Sequence, residues 1–167
     1  MPGASNAGEN RPLPIEDFAA ALPARAAILG LDVGTKTIGL AISDLTRFIA
    51  SPMYTLRRTK FTADAAALLA LVAEREARGF IIGLPVNLNG TEGPRAQSCR
   101  AFARNLGALT PLPIAFWDER LSTAAAERVL LEADASRKRR AEVIDAVAAG
   151  FILQGALDRM RSMRSSD

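Results

Sequence analysis

The pattern of apolar and polar positions divides the chain into an irregular start and a long alternation of strand-like and helix-like segments. Residues 1 to 25, punctuated by Pro2, Pro12, Pro14 and Pro23, show little periodicity. They are expected to form a flexible leader with at most a helical turn near Glu16 to Ala21. The run from Ala26 to Asp32 is apolar and stops at Gly34, and Thr37 to Ser43 and Phe48 to Leu56 follow as two further strand-like segments joined by short turns. Thr62 opens an amphipathic helix expected to run to Arg78 and end at Gly79. Phe80 to Leu84 reads as a buried strand, Thr91 to Leu106 as a helix, and Pro113 to Trp117 as a last strand. A helix from Ser122 to Glu132, a polar break from Ala133 to Arg137 and a long helix from Arg139 to about Met160 complete the pattern. The expected fold is α/β: a mixed five-stranded sheet, three antiparallel meander strands followed by parallel ones, with helices on both faces. One domain spans residues 26–160, and residues 161–167 form a basic flexible tail.

Composition narrows the chemistry. The chain has 167 residues, 49% hydrophobic and 23% charged, enough for a full core without disulfides or structural metal. The single cysteine, Cys99, has no internal partner, and no stretch reaches the 18 or so apolar residues of a membrane span. Glu9, Glu16 and Asp17 stand where a signal peptide needs a basic start, so a reducing cytoplasm fits best. The chain contains no histidine, which removes His-based triads, imidazole metal sites and histidine acid–base catalysis. Basic residues exceed acidic ones, 21 against 18, and nearly all are arginine, the side chain that pairs bidentately with phosphate. Nucleic acid is therefore a candidate partner.

Three acids stand where apolar residues are expected. Asp32 ends the first apolar strand, where it either meets a cation or turns the chain by accepting backbone hydrogen bonds. Asp118 and Glu119 follow the last strand. On extended backbone they point to opposite sides, so one can reach a crevice beyond the strand ends while the other faces outward or caps the next helix. Asp145 shares a helical stripe with Ala141, Ala148, Ala149 and Ile152, an apolar face made mostly of small residues that admits close approach to a sheet. An ion pair from Asp145 to Lys36 or to an arginine is the alternative. Together Asp32, Glu119 and Asp145 suit Mg²⁺ or Mn²⁺, and two ions roughly 3.5–4 Å apart could drive hydrolysis of a phosphodiester backbone.

Several segments carry a family resemblance: LGLDVGTKTIGLAISD from Leu29 to Asp44, IGLP from Ile82 to Pro85, DERLST from Asp118 to Thr123 and IDAVAA from Ile144 to Ala149. In this order and spacing they resemble the YqgF/RuvX family of RuvC-like nucleases, over Ala27 to about Asp158. The resemblance implies a ribonuclease H-like fold and a nuclease acting in 5′-end maturation of pre-16S ribosomal RNA. It also implies that Asp32, Glu119 and Asp145 are the catalytic, metal-holding carboxylates. A Holliday junction resolvase-like DNA endonuclease and a non-catalytic RNA- or ribosome-binding module are the other readings, with nucleic acid and a ribosomal precursor particle as partners. Lys36, Arg120, Arg137, Lys138, Arg139 and Arg140 are the candidate nucleic-acid contacts, the last four as a cluster just ahead of Asp145. The DVGTK segment also resembles the phosphate loop of actin-like and sugar-kinase ATPases, but those enzymes close two such domains over nucleotide and this chain supplies one. Cys99, Phe116 and Trp117 are expected to pack.

Overall fold

The computed structural model describes residues 10–121 and 137–165, with side chains 137–142 and 165 left undescribed. The expected helix at 122–132 and the break up to residue 136 lie outside the described residues. Three strands, β1 (Ala27–Val33), β2 (Thr37–Ser43) and β3 (Ala50–Arg57), form an antiparallel meander. Helix α2 (Phe61–Glu74), strand β4 (Ala77–Leu84), helix α3 (Pro94–Gly107) and strand β5 (Ile114–Asp118) follow. A single 3-10 turn, Glu119–Leu121, ends that part of the chain, and a long helix α4 (Arg137–Ser165) closes the domain.

The strands are ordered β3-β2-β1-β4-β5, with β4 parallel to both β1 and β5. This is the mixed sheet that the alternation of segments implies. Strand β1 is central and all seven of its residues are buried, which explains its nearly continuous apolar run. Leu29, Leu31 and Val33 point to one face, packed by Leu68 and Val72 of α2 and by Phe102 and Leu106 of α3. Ile28 points to the other, under Ala149, Ile152 and Leu153 of α4. Among the described residues no helix is long and apolar enough to cross a membrane.

Three expectations are corrected. Residues 10–25 are not loose: Leu13 donates its N–H to the Ile114 carbonyl at 2.7 Å and bridges Ala115, so the segment runs along the exposed edge of β5. Helix α1 (Ile15–Ala21) then buries Phe18 completely. Gly79 does not end a helix. It lies inside β4, and a Cβ there would stand 2.8 Å from the Phe18 ring, so the glycine is the seat on which α1 docks. The chain leaves α2 earlier, through Glu76 in the left-handed region at φ 56°. Residues 161–165, expected in a flexible tail, continue α4, and Met163 packs against the core beside Met160.

Candidate active site

Asp32 is placed by register. Ile28 faces α4, and alternation along β1 turns Asp32 to the same side. Its partner across β2 is Gly39, and since Leu31 pairs with Ile82 of β4, Gly83 is its neighbour on the other side. The carboxylate is thus flanked by two residues without side chains, while Asp32 itself is 6% exposed. Both glycines lie at close approaches, and at Gly39 the approach is of backbone to backbone. A Cβ at Gly39 would fall 1.9 Å from the backbone oxygen of Asp145, and one at Gly83 would fall 2.5 Å from Ile152 and 3.5 Å from the carboxyl carbon of Glu119. Helix α4 therefore crosses the sheet directly beside Asp32, bringing Asp145 from one side, and Glu119 closes in from the other.

The two acids where β5 passes into the 3-10 turn divide their roles. Asp118 accepts the Arg120 N–H at 2.9 Å and its guanidinium at 2.6 Å, and that pairing holds its carboxyl below the usual carboxylate range. Glu119, on the opposite side, is half-buried beside Gly83. Arg120 also donates to the Asn87 carbonyl at 3.4 Å, so it ties the end of β5 to the loop after β4.

Asp145 has a neutral partner: its Oδ2 accepts the Thr37 hydroxyl at 2.6 Å. Among the described residues this hydroxyl stands in place of the alternative, an ion pair with Lys36 or an arginine, and Lys36 is exposed. The apolar stripe is as expected, with Ala148, Ala149 and Ile152 all buried. Arg137, Lys138, Arg139 and Arg140 form the first turn of α4, but their side chains lie outside the described set.

Two cations that sequence patterning left unmarked stand near the acids. Arg58, just past β3, donates its backbone N–H to the Lys36 carbonyl at 2.9 Å and its Nη1 to the Gly34 carbonyl at 2.7 Å. Its guanidinium lies over the Phe102 ring at 5.5 Å, so it braces the turn that follows Asp32. Arg95 is exposed in the first turn of α3. Cys99, one turn on, is buried, and its thiol is pushed up to about 11 by burial, opposed by Arg95 and reinforced by Glu119 and Asp32, with Arg58 opposing again. Four charges from four segments thus act on one buried sulfur. It is packing, as expected, with Sγ 3.7 Å from the Val33 carbonyl oxygen. Trp117 also packs, against Gly155 of α4.

As donors, three carboxylates in a chain without histidine fit a hard, oxygen-preferring divalent cation. Among the described residues, however, no three acidic or thiol groups draw together into one closed ligand set.

Comparisons with known proteins agree with this architecture. The family model described as "RuvX: Holliday junction resolvase" matches residues 26–159. A protein of Rhodobacter capsulatus named "Putative pre-16S rRNA nuclease" is 69% identical over 146 residues, 87% of this chain and 92% of its own length. One of the same name from Paracoccus denitrificans is 69% identical over 147 residues, covering 88% and 93%. Among solved structures, Thermus thermophilus RuvC in complex with a Holliday junction substrate aligns at TM-score 0.51 and 12% identity, over 81% of this chain and 96% of that one. That likeness carries the ribonuclease H-like fold. With a family model spanning the whole sheet and relatives this similar over nearly their full length, the chain belongs to the RuvX family.

Proposed function

We propose that this protein is a metal-dependent nuclease that hydrolyses phosphodiester bonds, acting in the cytoplasm on the 5′ end of the 16S ribosomal RNA precursor. The observation that carries the reading is Asp32: a carboxylate 6% exposed on a central strand, with glycine on both sides, Glu119 over one glycine and the Asp145 backbone over the other. Asp32, Glu119 and Asp145 would hold Mg²⁺ or Mn²⁺, which when bound would supply Lewis-acid polarisation of the phosphodiester and an activated water. Thr37 keeps Asp145 oriented without spending its charge, and Arg58 and Arg95 offer positive potential to the substrate backbone. The substrate is carried over from the names of the relatives. The description of the matching family favours a second reading, cleavage of branched DNA.

The test is incubation of the purified protein, with Mg²⁺ or Mn²⁺, with a pre-16S RNA fragment and separately with a four-way DNA junction. The expected outcome is shortened RNA, with cleavage falling about 100-fold or more in Asp32→Asn while the melting temperature is unchanged or higher. The amide is isosteric, opens no cavity and removes a buried charge. Cleavage of the junction alone selects the second reading, and undiminished cleavage by Asp32→Asn removes Asp32 from the site. If neither nucleic acid is cut and the triple Asn/Gln variant gives the same calorimetric heats with Mg²⁺ as wild type, the protein is a binding module.

A further inference from the structure

We propose that Leu88 is a wedge that inserts between two neighbouring bases of the nucleic acid lying across the carboxylate site; this rests on the nuclease reading above. Leu88 is 93% exposed, more than any other large apolar side chain described. A lone exposed leucine is ordinarily unremarkable, so its meaning depends on what holds it and where.

It occupies the second position of a turn closed by the Gly90 N–H donating to the Asn87 carbonyl at 2.8 Å. The Asn87 N–H donates in turn to the Thr91 carbonyl at 2.9 Å. The side chains of Asn87, Asn89 and Thr91 are joined as well: Asn87 Nδ2 donates to Thr91 Oγ1 at 3.0 Å, and that hydroxyl donates to Asn89 Oδ1 at 2.6 Å. Gly90, at φ +88°, takes the left-handed conformation that lets the chain reverse. A tip so constrained loses little entropy when it inserts.

Its place is at the carboxyl end of β4, beside that of β5. Arg120 reaches the Asn87 carbonyl from the residue next to Glu119, so the turn and the acid are parts of one rim. The chemistry around the tip selects the partner. A protein surface would call for a contiguous apolar patch, whereas one leucine among amides and a guanidinium matches the stack of bases between polar edges and phosphates.

The test uses short RNA hairpins carrying 2-aminopurine at successive positions, titrated with protein in chelator so that no turnover intervenes. Wild type should raise the fluorescence at one or two adjacent positions, by unstacking them. Leu88→Ser should abolish that rise and weaken binding about 10-fold, with the slope of affinity against salt unchanged because no phosphate contact is lost. Leu88→Phe should retain the rise. Equal fluorescence and affinity for wild type and Leu88→Ser overturn the wedge and leave the nuclease reading standing. Failure of both proteins to bind any hairpin overturns the wedge together with the RNA reading.

Discussion

At Asp145 the partner is a hydroxyl rather than a cation, and this decides what the carboxylate can still do. A lysine would neutralise it; the Thr37 hydroxyl, at 2.6 Å, fixes one oxygen and leaves the charge. Thr37→Val should therefore cost about 1 kcal/mol of stability through the loss of a part-buried hydrogen bond to a charged acceptor and lower cleavage, while Thr37→Ser restores both. Urea unfolding and RNA cleavage on the same three proteins check this. Cys99 gives a pH prediction. Its thiol rises from 9.0 to about 11 in the fold, chiefly through burial. Below 9.0 both states keep the proton and the contribution is whole. Above that, the unfolded chain releases its proton first, so stability must fall as pH rises toward about 11. The urea midpoint should drop across that window in wild type, and Cys99→Ala should lack this component of the drop. The inward placement of Asp32 and Asp145 was legible because each interrupts an apolar pattern of fixed period. The Thr37 bond was not, because it joins residues 108 positions apart.

Among the elements, strands and their pairing followed the pattern closely, and one misreading came from glycine taken as a stop. Gly79 ends nothing; it thins β4 so that Phe18 can sit on it. That contact also explains why the segment ahead of β1 showed no more than a helical turn near Glu16 to Ala21, which is α1: the rest of its order comes from docking on the β5 edge and on α4, not from periodicity of its own. Gly39 shows the same device at the candidate site. Its missing side chain admits the α4 backbone, and since a Cβ would fall 1.9 Å from a carbonyl oxygen, no rotamer change can relieve the clash. Gly39→Ala should destabilise by about 3 kcal/mol or more and displace Asp145, with cleavage falling alongside. Gly93→Ala, where the nearest atom is 3.9 Å away, should stay within about 1 kcal/mol. Chemical denaturation of the two variants separates a steric demand of the helix crossing from a general intolerance of alanine at glycine positions.

On the scale of the whole molecule, the slight positive excess of 21 basic over 18 acidic residues says little until the sheet sorts it. The parallel strands β1, β4 and β5 end together, which is where open α/β sheets form crevices. There the order of elements delivers Asp32 and Glu119, with Arg58 from the end of β3 and Arg95 from the start of α3 close enough to act on the same buried thiol. Composition showed that arginine was abundant; only the tertiary arrangement selects these two. Helix α3 supplies an internal control, because Arg95 in its first turn and Arg104 in its last are both exposed and lie roughly 13 Å apart along the axis. Replacing either by alanine removes the same net charge. If phosphates track across the strand ends, Arg95→Ala should weaken binding to unrelated RNA sequences about equally and flatten the log-affinity against log-salt slope by roughly 0.7 for a single-stranded contact. Arg104→Ala should leave the slope unchanged. Equal effects from both would mean that overall charge, not the rim of the carboxylate site, attracts the nucleic acid.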